Sequence, residues 1–251
     1  MRIAIAGGTG TVGAHIVRSA ESAGHEAVVL SRAAGVDLVT GAGLDLGGID
    51  AVIDATGPST RRTPEVIAFF ESVTANLLRA EREAGVGHHV ALSIVGAARI
   101  DDGYYAGKAA QERALQTGDP AGAVPWSILR TTQFFDFAEQ VAVPVGRLLI
   151  VPKVRSRPVA AASVAARLVE IAAGEPVGIA SDLAGPEELR IAELLRAILA
   201  ARGESRRVLE VPLPGRFGKG LRDGTILPGD RARIDSVSAA EWIAGYGTAR
   251  G

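Results

Sequence analysis

Tyr104 and Lys108 stand four residues apart in Gly103-Tyr-Tyr-Ala-Gly-Lys-Ala-Ala-Gln111, a spacing that puts both side chains on one face of a helix. A free phenol titrates at about 10, too high for ready proton exchange near neutrality, and an ammonium close by favours the phenolate. The two residues therefore read as an acid–base couple, Tyr104 handling the proton and Lys108 tuning it. Ser93, near the end of the run His88–Ile94, offers a hydroxyl that can hold a carbonyl against that phenol. The chain contains only three tyrosines and three lysines, which makes a chance pairing at this spacing uncommon. Tyr105 is the rival phenol but points to a neighbouring side of the helix. His88 and His89 are adjacent on a strand pattern and face opposite ways, so they are read as structural, with no metal expected.

The elements that must position these groups begin at the N-terminus. Ile3–Ala6 is a short apolar strand that runs directly into Gly7, Gly10 and Gly13, and a helical pattern follows through Val12, Ile16, Val17 and Ala20. Gly7 permits the tight turn, Gly10 lets a pyrophosphate approach the backbone, and Gly13 lets the helix sit close to the sheet. Phosphates would lie on the unpaired N–H groups at the positive end of that helix. Gly7, Thr9, Gly10, Thr11, Val12 and Gly13 are accordingly the candidate pyrophosphate contacts. A second strand, Ala27–Leu30, ends in Ser31-Arg32. An acid at that place reads a ribose 2′-hydroxyl and an arginine suits a 2′-phosphate, so Ser31 and Arg32 favour NADP(H) over NAD. A third strand, Ala51–Ala55, runs into Thr56-Gly57-Pro58, whose small side chains leave room for the adenosine half.

Strands alternate with helices through the first half, with helical patterns over 11–23, 64–84 and 104–116 and further strands at 88–94 and 125–130. Val36–Val39 is a short candidate strand. This order predicts an α/β fold, a doubly wound parallel sheet of Rossmann type with right-handed crossovers. The second half is less regular, with helices over 159–173, 188–202 and 239–244, short strands at 179–183 and 208–211, and a loop-rich stretch at 212–227. The expected division is a dinucleotide-binding core over 1–145 and a smaller substrate-binding part over 146–251 packed on it. Thr131-Thr-Gln133-Phe134-Phe135 leaves the strand that ends at Arg130. An amide and a ring at a strand end can orient a flat, partly polar substrate, so Gln133 and Phe134 are the candidate substrate contacts.

With 251 residues, 47% hydrophobic and 22% charged, the composition is ordinary for a soluble globular protein. A net charge of −1 argues against a nucleic-acid or anionic-membrane surface. The absence of cysteine rules out thiolate chemistry and disulfides. The N-terminal apolar run is too short for a signal peptide, and no apolar stretch reaches the roughly 20 residues of a membrane span. The expectation is a cytoplasmic monomer or homodimer that acts on a small molecule.

Gly7-x-x-Gly10-x-x-Gly13, Ser93 and Tyr104-x-x-x-Lys108 together resemble the short-chain dehydrogenase/reductase superfamily. Ala6-Gly-Gly-Thr-Gly10, Leu30-Ser-Arg32, Ser93-Ile-Val-Gly96 and Leu129-Arg-Thr-Thr-Gln-Phe134 are similar to its atypical, NmrA-like branch. The resemblance covers nearly the whole chain, strongly to about residue 140 and loosely after it. It implies NADP(H) as cofactor, Ser93 polarising the substrate, Tyr104 as acid/base and Lys108 on the nicotinamide ribose. The interval from Ser93 to Tyr104 is short against common members, and some members bind the cofactor as redox sensors. The function implied first is an NADPH-dependent oxidoreductase moving a hydride to or from a small carbonyl or quinone-like substrate. A non-catalytic NADP sensor working through a protein partner and an epimerase or dehydratase are the alternatives.

Overall fold

The computed structural model describes residues 1–117 and 123–248. The chain forms two compact units, Met1–Arg130 with Ala161–Ala180, and Thr131–Ala160 with the chain from Ser181 on. The first division falls after Arg130, and a later segment, Ala161–Ala180, returns to the first unit. Hydrophobic periodicity finds elements but not which body they join.

The first unit opens with β1 (Arg2–Ala6), α1 (Thr11–Ser22), β2 (Glu26–Leu30), β3 (Ala51–Asp54), α2 (Thr63–Ala84) and β4 (His88–Ile94). A short α3 (Ala97–Ile100), then α4 (Gly103–Gln116) and β5 (Trp126–Thr131), complete its continuous part. β2, β1, β3 and β4 lie side by side, all parallel, and β5 follows β4. Side chains alternate across the sheet. Ala4, Ala6 and Val52 pack with Val73 and Leu77 of α2, while Ile3, Ile5 and Ile53, also fully buried, point the other way. Gly85 ends α2 in the left-handed conformation (φ +72°), the usual reason for glycine at a helix stop. Between β2 and β3 the chain carries only a 3₁₀ turn, Arg32–Ala34. The candidate strand at 36–39 contributes a single bridge, Asp37 to Ala42.

The chain next builds α5 (Phe137–Gln140), β6 (Val143–Val145), β7 (Leu148–Pro152) and β8 (Arg155–Ser156) in the second unit. It returns to the first with α6 (Ala161–Ala172), which packs on α1, and β9 (Gly178–Ile179), which pairs in parallel with β5. The second unit is completed by β10 (Leu183–Ala184), β11 (Leu189–Arg190), α7 (Ile191–Ala201), β12 (Arg207–Val211), α8 (Gly215–Gly220), β13 (Arg233–Ile234) and α9 (Ala239–Thr248). Its main sheet has the order β12-β7-β6. Phe135 stacks on Trp242 there, ring centroids 5.2 Å apart. Among the described residues no helix is long and apolar enough to cross a membrane.

Candidate functional site

The loop between β1 and α1 can be built only with glycine at two points. A Cβ on Gly13 would lie 2.0 Å from the Gly7 carbonyl oxygen, and one on Gly7, at φ +81°, would lie 2.7 Å from that of Ala55. Backbone atoms cannot yield by that much, so any side chain would lift α1 from the sheet. Gly10 donates its N–H to the Gly7 carbonyl at 2.9 Å and stands as the N-cap of α1, with no side chain closing that end. The first N–H groups of a twelve-residue helix are thereby left to an anion. Thr9 and Thr11 are exposed beside them, and Val12 is anchored in the core. At the end of β2, the Ser31 hydroxyl accepts from the Ala34 N–H and fixes the 3₁₀ turn. Arg32 is exposed on that turn, with no acidic partner among the described residues. Cradle and open helix end together fit the pyrophosphate of a dinucleotide.

Beneath the loop after β3 runs a buried polar chain. Asp54 Oδ1 accepts from the Thr56 N–H (2.9 Å) and from its hydroxyl (2.6 Å). Its Oδ2 accepts from Gln111 Nε2 at 2.7 Å, and Gln111 Oε1 accepts from Lys108 Nζ at 2.9 Å. Lys108 also donates to the carbonyls of Leu92 (2.7 Å) and Thr56 (3.4 Å). Its three ammonium hydrogens thus meet three acceptors, while the charge lies 4.3 Å from the centre of the Phe70 ring. Lys108 ties the ends of β3 and β4 together. Loss of hydration pulls its pKa down to about 8 against the support of Asp54 and Glu112. A ribose hydroxyl could gain this ammonium only by displacing one of those bonds.

Tyr104, one turn before Lys108, packs edge-on against Phe70 (centroids 5.7 Å apart), and a Cβ on Gly57 would lie 3.8 Å from its hydroxyl oxygen. Thr63 fixes the start of α4 by donating to Asp102 and accepting from the Gly103 N–H, each at 3.0 Å. The residue is 40% exposed, so a ligand can reach it and its hydration is reduced rather than lost. Reduced hydration, with the Asp54 carboxylate second, pushes the phenol above its ordinary pKa. Lys108 does not counter this shift. The ammonium is spent on backbone carbonyls and Gln111, and Asp54 lies close enough to oppose the phenolate. Tyr105, by contrast, is buried.

Ser93 is engaged inside the protein. Its hydroxyl donates to Glu112 at 2.6 Å, and Arg130 grips the same carboxylate through Nε (2.9 Å) and Nη2 (2.5 Å). Glu112 follows Tyr104 by eight residues, about 12 Å of helix. Serine and phenol therefore meet different turns of α4. The ten residues between Ser93 and Tyr104 hold α3 and its turn, so the end of β4 faces the later part of the helix. Ser93 locks β4, α4 and β5 together. Sequence reasoning missed Gln111, Glu112 and Arg130. The available clue was Lys108, Gln111 and Glu112 at i, i+3 and i+4 among alanines, a polar stripe that a buried helix must pair.

Gln133 and Phe134 belong to the second unit. Gln133 is buried, its Oε1 accepting from the Ser156 hydroxyl, while Phe134 is half-buried and bridges to Val159. His88 Nε2 lies 2.8 Å from Ser127 Oγ, and His89 Nδ1 lies 2.7 Å from Glu81 Oε1. Among the described residues no group of three or more His, Cys, Asp or Glu could hold a metal.

No protein-family profile and no curated protein sequence matches the chain. Solved structures do. An NAD-dependent NDP-hexosamine 5,6-dehydratase, TunA, involved in tunicamycin biosynthesis, is similar at a TM-score of 0.73 and 17% identity, over 100% of this chain and 98% of the other. A short-chain dehydrogenase/reductase superfamily protein from Agrobacterium tumefaciens with bound NAD gives 0.69 and 16%, over 100% and 97%. An NADPH-dependent quinone oxidoreductase from Escherichia coli gives 0.66 and 15%, over 98% and 99%. These likenesses do not single out the NmrA-like branch. The chain has a Rossmann-type α/β fold, the architecture it shares with these structures.

Proposed function

We propose that the chain binds NADP(H) and works as a reductase of small carbonyl or quinone-like compounds. The observation that carries this reading is the glycine cradle facing an open helix end, with unpaired Arg32 at the tip of β2. The cofactor, when bound, supplies the hydride. Gly7, Gly10, Gly13 and the first N–H groups of α1 would hold its pyrophosphate, Ser31 and Arg32 its 2′-phosphate, and Thr56-Gly57 would border it. Tyr104 is the accessible proton donor of this unit. A phenol held above its ordinary pKa stays protonated and hydrogen-bonds to an acceptor oxygen, which suits reduction. Alcohol oxidation calls for a phenolate base, and the upward shift opposes it. A quinone is the acceptor that asks least of the protein, because its reduced oxygens can take protons from water. Lys108, Gln111 and Asp54 would act by fixing the loop at Thr56-Gly57. The engagement of Ser93 and Lys108 inside the protein favours one second reading, an NADP sensor without catalysis.

The test is NADPH binding by fluorescence titration, then NADPH consumption with a panel of quinones and small carbonyls. Tyr104→Phe should leave the affinity unchanged and cut turnover of a carbonyl substrate by roughly 10²–10⁴. Tight binding without consumption of any acceptor would hand the chain to the sensor reading.

A further inference from the structure

The β12-β7-β6 sheet of the second unit has two unlike faces. Along β7 the side chains of Leu149 and Val151 are buried and those of Leu148 and Ile150 turn outward. The register extends these outward positions into rows, Val145–Leu148–Arg207 and Val143–Ile150–Leu209, with Val211 beyond, paired with Pro152. The inner face is covered by α7, which packs on β7 and β12. The outer face is open, with Val143 55%, Val145 50% and Leu209 49% exposed. Three neighbouring strands thus present a contiguous aliphatic surface of the kind that marks an interaction site.

Charge at its margin narrows what it meets. Elsewhere in this unit Arg155, Arg190 and Arg202 pair with Glu188, Glu210 and Glu139. Arg207 on the outer face, Arg147 in the β6–β7 turn and Lys153 after Pro152 have no acidic partner among the described residues. A second copy docked by the same face in a two-fold manner would set arginines at one end against Lys153 at the other, cation against cation. Strand addition at the β6 edge is hindered as well, because β6 carries Pro144, which has no N–H to donate. The centre of the face holds no hydroxyl or amide side chain, whereas a protein interface carries about one hydrogen bond per 100–200 Å². A bilayer asks for aliphatic side chains and for cations at its phosphates, where guanidinium binds well.

We propose that this face docks the protein on an anionic lipid bilayer. The earlier exclusion of membranes rested on a net charge averaged over the chain, and a local face with unpaired cations escapes that average. The test is co-sedimentation of the full chain with phosphatidylcholine vesicles, with and without phosphatidylglycerol. Binding should require phosphatidylglycerol and weaken as salt is added. Each arginine near the surface is worth about fivefold, so Arg147→Ala with Arg207→Ala should cost about thirtyfold. Both are exposed, and circular dichroism would confirm that the double variant keeps its fold. Leu209→Asp should abolish binding, while NADPH titration, which reports the other unit, should not change. Absence of binding to anionic vesicles, or equal binding by the double variant, would overturn the proposal. A dimer seen by light scattering that Leu209→Asp dissociates would assign the face to a second copy and overturn it too.

Discussion

Replacing Lys108 by methionine should alter how stability depends on pH, in a predictable window. The lysine is 1% exposed, and loss of hydration lowers its pKa from 10.5 to about 8 although Asp54 and Glu112 pull the other way. The difference, 10.5 less about 8, is about 2.5 units, or about 3 kcal/mol between the two protonation states. In the unfolded chain the lysine holds its proton up to about 10.5; in the folded protein it releases it above about 8. Unfolding between these values takes up a proton. The group's contribution to stability therefore grows as pH rises through the window, and it is lost as pH falls through the folded value. Methionine fills similar space and does not titrate. Urea unfolding of both proteins at fixed ionic strength should show the difference, wild type minus variant, rising by about 3 kcal/mol across the window. A flat difference would mean that the three acceptors around Nζ compensate fully for lost water, and the desolvation argument would fail.

Arg32→Ala should weaken NADPH binding by roughly tenfold to a hundredfold, since a charge-assisted contact is worth about 1.5–3 kcal/mol, and leave NADH binding unchanged. Calorimetry giving equal affinities for both cofactors in the unmutated protein would contradict this. Gly13→Ala puts a methyl 2.0 Å from the Gly7 carbonyl oxygen, so it should cost at least about 1–3 kcal/mol of stability and most of the NADPH affinity. Wild-type Tm and affinity in that variant would show that α1 can move away freely. Burial alone would lower the His89 pKa, but the Glu81 carboxylate outweighs it and the net shift is upward. The pair's stabilisation should thus be complete below the ordinary histidine value and fade as pH rises through the raised one. Glu81→Gln should remove that fade from a Tm-against-pH series.

The cradle was legible because its causes are local. Gly7, Gly10 and Gly13 sit in one short loop, and the contact that forbids a side chain on Gly13 comes from Gly7 itself, whereas the one at Gly7 comes from Ala55 and could not be read from the loop alone. The extents of β4, α2 and α4 could likewise be read from periodicity and from stops such as Gly85. The partners of the chemical residues were not legible, because they come from elements distant in sequence. Gln111 reaches Asp54 across 57 positions and Arg130 reaches Glu112 across 18. A helix face lists candidates for burial without saying which strand end each will meet. The second unit was harder still, since β6, β8 and α8 are too short for a periodic pattern to register.

The same distinction bears on mechanism. Tyr104-x-x-x-Lys108 fixes two side chains on one helix face, but what an ammonium does there depends on competing acceptors. Carbonyls at the ends of β3 and β4 compete well, because a parallel strand end carries oxygens without further strand partners, and the Leu92 oxygen lies 2.7 Å from Nζ. Gln111 adds a third acceptor and passes the arrangement on to Asp54, whose other oxygen sets the Thr56 turn. Under the proposed function, proton chemistry at Tyr104, where Asp54 opposes the phenolate, and the shape of the loop at Gly57 both depend on this buried chain. A substitution at Gln111 should move both. If cofactor affinity changed with no change in the pH dependence of turnover, or the reverse, the chain would be two independent contacts, and Lys108 would need a separate account at each end.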